Sequence, residues 1–187
     1  MSQGEPMDYF EATVKTLLES DGFWVRQSVK VDVTKEDKKE IGRPTMPRPE
    51  IDLIAYKPES NEILAIEVKS FLDSSGVYLS DLQQSFDIPN GRYKLFTSKT
   101  YRDVVFKCLS RQLQISGLTS TLLPIKLGLA AGKVHKGQEQ EVREYLHTKN
   151  MYFLGPSEIK QKIQSLALKG YENDPTVIAA KILMRGS

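Results

Sequence analysis

The chain has 187 residues, 40% of them apolar, a single cysteine and a formal net charge of +2. That length and apolar share suit one folded domain with its own core and exclude a disordered chain. One cysteine excludes an internal disulfide and a cysteine-based zinc site, and no stretch approaches the roughly 18 unbroken apolar residues of a membrane span.

The opening "MSQGEPMDYFEATVK" lacks the basic flank and apolar stretch of a signal peptide, so a reduced, cytoplasmic setting is expected. Residues 9–20, "YFEATVKTLLES", place Phe10, Val14, Leu17 and Leu18 on one helical face, and Gly22 suits the helix stop. "FWVRQSVKVDV" alternates apolar residues with period two, imperfectly around Gln27, and predicts a long strand. The charge- and proline-rich "TKEDKKEIGRPTMPRP" predicts a surface loop. "EIDLIAYK" and "EILAIEVK" flank the polar "PESN" and predict a hairpin. Turn residues punctuate positions 74–91. "TYRDVVFKCLSRQLQISGL" then predicts a helix with Cys108 in its apolar stripe, where a small buried hydrophobe is expected. "TLLPIKLGLAAG" predicts a strand in which Pro124 points to an edge position or a bend. A polar helix over 137–150, a short "MYFL" strand and two more helices follow, the last opened by Asp174 as cap and Pro175 as first position. Helix, three strands, helix and strand imply an α/β fold. An antiparallel meander is joined by a parallel strand, with helices on the sheet's faces. The core is placed at residues 1–130, with a helical extension over 131–187 packed on the same domain.

The hairpin holds charges where apolar residues are expected. If the turn is residues 58–61, Lys57 opposes Glu62, Asp52 opposes Glu67 and Glu50 opposes Lys69. Glu50 and Asp52 then share a face, with Ile51, Leu53 and Ala55 on the other. Two facing carboxylates repel, and a hard divalent cation removes that repulsion. Such an ion activates water and holds a phosphate oxygen, and a nearby lysine adds positive charge. Acid, acid and lysine at these spacings therefore suit phosphodiester hydrolysis. The competing account is a solvated hairpin decorated with ion pairs.

"RPEID" at 48–52 and "IEVKS" at 66–70 resemble the motifs of the PD-(D/E)xK nuclease superfamily, which has the restriction-endonuclease-like fold. The resemblance covers about residues 8–130 and implies an αβββαβ core. It implies a metal-dependent endonuclease acting on DNA in restriction, recombination, repair or mobile-element biology, with Mg²⁺ or Mn²⁺ as cofactor. Asp52 and the triplet Glu67-Val68-Lys69 fall on the family's acidic position and its ExK motif. Glu11 matches the glutamate that some members add from the first helix, and the Val68 carbonyl matches a further metal ligand. The chain departs from the motif in that Pro49 is followed by Glu50, with Asp52 two residues later. That variant is similar to resolvase-like branches, and Glu50 is left as a ligand or a partner of Lys69. "EVKSFL-x-S" resembles the excision-controlling proteins of cyanobacterial mobile elements. Some branches add a glutamine near the scissile phosphate; Gln83, Gln84, Gln112 and Gln114 all remain open. A homodimer is also implied by resemblance.

Basic residues cluster at 30–48 and again at Arg92, Lys94, Lys99 and Arg102. The second group, interleaved with Tyr93, Phe96 and Tyr101, suits phosphate tracking and base stacking on DNA. His135 and His147 lack metal-ligand spacing, and there is no Gly-rich phosphate loop. Two readings compete with the nuclease. One is a non-catalytic nucleic-acid-binding or assembly module that keeps the fold. The other is an interaction protein without a site, in which Asp52 and Glu67 lie on opposite faces or fully in solvent. DNA against RNA, sequence preference, cut pattern and the role of residues 131–187 are not legible.

Overall fold

The structure is a computed structural model that describes residues 8–119, 123–170 and 172–185. The first helix, α1 (Tyr9–Ser20), is capped by Asp8, whose Oδ1 accepts the amides of Phe10 at 2.8 Å and Glu11 at 3.1 Å. Strand β1 (Trp24–Lys30) follows Gly22, which takes φ +89° at the turn. The stretch expected as a loop contains a helix, α2 (Lys35–Glu40), closed by a reciprocal Thr34–Asp37 capping box. It buries no residue, so it leaves no apolar periodicity to read. The hairpin is β2 (Glu50–Lys57) and β3 (Glu62–Lys69). Two short helices, α3 (Leu79–Leu82) and α4 (Lys94–Thr97), lead to the long α5 (Lys99–Ile115). Then come β4 (Ile125–Ala131), α6 (Glu139–Thr148), β5 (Tyr152–Leu154), α7 (Pro156–Leu168) and α8 (Pro175–Leu183). Residues 121–122 of the predicted "TLLPIKLGLAAG" strand lie outside the described residues, as do residues 1–7 of the opening.

The five strands form one mixed sheet in the order β1-β2-β3-β4-β5. β1, β2 and β3 pair antiparallel, while β3, β4 and β5 pair parallel. The switch falls at the central strand, β3, whose Leu64, Ala65 and Ile66 are fully buried. Apolar residues cover both faces of the sheet, as a central strand with helices packed on both sides requires. On one face Ile54, Ile63, Ala65, Leu127 and Leu129 pack with Val104, Val105 and Leu109 of α5 and Val142 and Leu146 of α6. On the other, Leu53, Leu64, Ile66 and Val68 pack with Val14, Leu17 and Leu18 of α1 and with Ile159, Leu166, Val177 and Ala180 of α7 and α8. Helices on both faces complete the α/β architecture.

The structure corrects three further expectations. The connection from β1 to β2 spans residues 31–49 and carries α2, so it is not a short meander turn. Pro124 precedes β4, which lies between β3 and β5, so the edge reading fails. The short strand predicted at "MYFL" is β5, which joins the sheet beside β4. Finally, alternation breaks at one rung. Gln27 pairs with Leu53 and Val29 with Ile51, but the intervening Ser28 takes φ +51° and is left out of the ladder. Ile51 consequently joins the α5-side core, while Leu53 and Ala55 join the other side. Among the described residues, no helix is long and apolar enough to cross a membrane.

Candidate active site

Residue spacing sets the site before any side chain is considered. Lys57 opposes Glu62 and Leu53 opposes Ile66, the register that the four-residue turn predicts. Ladder pairing ends there, and Asp52 falls outside both of its strand's registers. Its side chain takes up the connection instead: Asp52 Oδ2 accepts the Val68 amide at 2.7 Å. Glu67 and Lys69 leave β3 on the face that Ala65 and Ile63 give to the α5 side. Lys69 Nζ donates to Glu67 Oε2 at 3.1 Å and stands 3.7 Å from Asp52 Oδ2. One ammonium thus meets carboxylates from two neighbouring strands. These side chains are recessed, with 14% exposure for Glu67, 19% for Lys69 and 22% for Asp52.

Burial raises the Glu67 carboxyl above the usual carboxylate range; the Lys69 ammonium opposes that rise and Asp52 adds to it. Burial works against the charge on Lys69, but Glu67 and Asp52 outweigh it and hold the amine protonated above its ordinary value. Glu11, in the first turn of α1, is pushed up to about 7 by partial burial and then by the charges of Asp52, Asp8 and Glu50, with Lys69 pulling the other way. Glu11 therefore lies within electrostatic range of the pair but does not join its hydrogen-bonded group. Among the described residues, no three acidic, histidine or cysteine side chains converge closely enough to hold a metal ion by themselves. Glu50 does not oppose Lys69. It pairs with Lys30 of β1, with Lys30 Nζ 4.0 Å from Glu50 Oε2.

The acids and Lys69 form the floor of a cleft of about 540 Å³. One wall is the Met46–Glu50 segment; the other is Phe71, Gly91, Arg92, Lys94, Leu95 and Tyr101. Arg48 Nη1 donates to Asp32 Oδ1 at 2.9 Å and the Val31 amide donates to the Pro49 carbonyl at 2.8 Å, which fixes the first wall. Of the four expected DNA-contacting cations, Arg92 and Lys94 border this cleft. Lys99 is paired instead with Asp103, one helical turn along α5. Arg102 is also excluded: its Nη1 donates to the Leu95 carbonyl at 2.8 Å, and it borders a separate cleft beside the Ser60–Asn61 turn, at the far end of the hairpin. The aromatic residues expected to stack bases are buried, with Tyr93 at 6%, Phe96 at 8% and Tyr101 at 7% exposure. Burial and then nearby carboxylates, Asp81 foremost for Tyr93 and Glu67 for Tyr101, raise both phenols to about 12. No candidate glutamine borders the cleft. Gln112 bridges α5 to the end of β1, accepting the Asp32 amide and donating to the Lys30 carbonyl, each at 3.0 Å. Phe71 was missed altogether. It follows Lys69 by two residues at φ +48°, and no periodicity marks such a turn.

No known family matches the chain, and no curated protein matches it. By structure it is similar to a crystallised protein of unknown function, AF1548, with 16% identity, a TM-score of 0.43, and coverage of 92% of this chain and 78% of that one.

Proposed function

We propose that the protein is a metal-dependent nuclease that hydrolyses phosphodiester bonds in DNA. The observation that carries this reading is Lys69 Nζ lying 3.1 Å from Glu67 Oε2 and 3.7 Å from Asp52 Oδ2, deep in a cleft bordered by Arg48, Arg92 and Lys94. The order of helix, antiparallel strands, helix and parallel strand supports a restriction-endonuclease-like arrangement, as do the "RPEID" and "IEVKS" segments, which resemble the PD-(D/E)xK motif on neighbouring strands with Asp52 two residues after Glu50. The donor set fits Mg²⁺ or Mn²⁺: two carboxylates are hard oxygen ligands, and Mg²⁺ typically takes only one or two of them beside its waters. When bound, the ion lowers the pKa of a coordinated water and takes up charge on the phosphate.

Asp52 and Glu67 are the ligands in this reading, and the Val68 carbonyl is the backbone candidate. The Val68 amide holds Asp52 Oδ2 in place, which aims the carboxylate at the ion. Lys69 keeps its proton, so it acts as a fixed positive charge beside the attacking water and the phosphate oxygens. Glu11, raised to about 7 by burial and by Asp52, adds negative charge that favours a cation and orients the outer part of the site. Arg92 and Lys94 offer charge to the backbone of the strand entering the cleft.

The deciding experiment incubates the purified chain with supercoiled, linear, single-stranded and branched DNA, with and without Mg²⁺ or Mn²⁺. Metal-dependent cutting is expected, and Asp52→Ala and Lys69→Ala should each abolish it while circular dichroism stays unchanged. Cutting that survives both substitutions sinks this assignment.

A further inference from the structure

Of the two aromatic residues that border the cleft, Tyr101 is buried and Phe71 is the more open, and the setting of Phe71 is unusual. It is half-buried, with the ring packed against the α5-side core and also lining the cleft beside Lys69. Its φ of +48° is a left-handed conformation that a bulky residue adopts only when the surroundings impose it. Such strain concentrates at ligand clamps and costs on that account. The Arg92 guanidinium lies 5.9 Å from the ring centroid, near the outer limit of a cation–π contact. Ring and guanidinium therefore form one wall, while the carboxylates that would meet the scissile phosphate sit recessed on the floor. A strand must send a phosphate down to that floor, and a base beside the phosphate then comes against Phe71. A paired base is held in its duplex stack and is not available for that contact; an unpaired one is.

We propose that Phe71, backed by Arg92, is a stacking platform for an unpaired base, so that the cleft takes single-stranded nucleic acid or the unpaired segment of a branched one in preference to continuous duplex. This rests on the nuclease reading for its choice of ligand but is tested without cutting. Stacking on an aromatic ring tolerates any base, so the preference is for strand state and not for sequence. Ring stacking does not read the sugar, so single-stranded DNA and RNA are separate arms of the test.

Fluorescence anisotropy of labelled oligonucleotides in the absence of divalent ions measures binding by the full chain. The probes are single-stranded DNA, single-stranded RNA, a blunt duplex and the same duplex with a single-stranded overhang. Single strands and the overhang are expected to bind at least tenfold more tightly than the blunt duplex. Phe71→Asn removes the ring but suits a left-handed backbone, so relief of strain offsets part of the lost packing and the fold is retained, which circular dichroism checks. It should weaken single-strand binding about tenfold and leave duplex binding unchanged. Phe71→Tyr keeps the ring and should keep the affinity. Equal affinity for single strand and blunt duplex, or full single-strand affinity in Phe71→Asn, overturns the proposal while leaving the nuclease reading standing. No binding to any probe also overturns the proposal, while the nuclease reading is decided by the metal-dependent cutting assay. Asp52→Ala separates them in the other direction: it should lose cutting yet keep the preference for unpaired strands.

Discussion

At the scale of single residues, Lys69 is the residue on which the site balances. It opposes the burial that pushes the Glu67 carboxyl toward protonation, and it stands 3.7 Å from Asp52 Oδ2. A divalent ion bound by Asp52 and Glu67 should therefore raise thermal stability, with the melting temperature climbing as Mg²⁺ is titrated in. The gain follows RT ln(1 + [L]/Kd), which is about 2.7 kcal/mol at a hundredfold excess over Kd. Asp52→Asn should remove most of that dependence, and a melting curve insensitive to Mg²⁺ in the native chain would count against the ligand assignment. Cys108 gives an independent check on the core. Burial first, and then its hydrogen bond to Asp37 at 3.4 Å, pushes the thiol up to about 11. The native thiol should resist iodoacetamide at pH 8 and react promptly in denaturant. Because its folded pKa lies above the unfolded value near 9, the unfolded state loses its proton first, and this group lowers stability as pH rises from about 9 to 11. The nearness of Asp52, Glu67 and Lys69 was legible from strand alternation, a four-residue turn and the resemblance of the two motifs, although the ladder stops at Leu53 and Ile66, short of the expected Asp52–Glu67 pair. Phe71 was not, because a single residue at positive φ leaves no period behind it. The place of Arg102 beside a different cleft was hidden for a related reason: charge is visible in a sequence, but the carbonyl that accepts from it is not.

Elements hold the site by close approach. Gly132, just past β4, donates its amide to the Lys69 carbonyl at 2.9 Å. A Cβ there would lie 2.5 Å from the Ser70 carbonyl oxygen and 2.9 Å from the Phe10 ring. This glycine lets the end of β3 sit against α1, and with it Lys69 against the helix that carries Glu11. Gly132→Ala should cost about 1–3 kcal/mol in urea denaturation, since backbone cannot give way as a side chain can. It should also reduce metal-dependent cutting more than any surface substitution of equal stability loss. An unaltered denaturation midpoint would show that the strand end and helix are not held this tightly. The hairpin and the long helices α1 and α5 were readable from period alone, as was α8 from its Asp174 cap. Helix α2 was not, since six polar residues carry no apolar stripe and only the Thr34–Asp37 spacing marks it. The break at Ser28 was foreshadowed by the faulty alternation around Gln27, but its effect on the face of Ile51 depends on two strands at once.

Across the whole molecule, the two ends of the chain cover the same face of the sheet. Thr16 Oγ1 donates to Asp174 Oδ2 at 3.0 Å and Lys162 Nζ to Asp21 Oδ2 at 2.7 Å, tying α1 to the segment after α7 and to α7 itself. Residues 151–187 also supply β5, the neighbour of β4. Removing residues 151–187 should therefore yield an aggregating or molten product rather than a trimmed core, which a solubility assay and near-ultraviolet circular dichroism would reveal. A soluble, cooperatively melting fragment would show that the remaining core folds without them. Sequence order alone placed helix, strands, helix and strand correctly; it could not show that the last helices close over the first, because that depends on which buried faces meet.

The left-handed Ser28 has an effect beyond the face of Ile51. β1 is an outer strand, and its free side would otherwise offer a continuous row of amides and carbonyls to any passing extended segment. A residue at φ +51° interrupts that row midway, and Arg26 and Lys30 stand exposed on either side of it. The opposite margin of the sheet, β5, is three residues long. Neither border gives an incoming chain room to register, so the sheet resists end-on growth into fibrils.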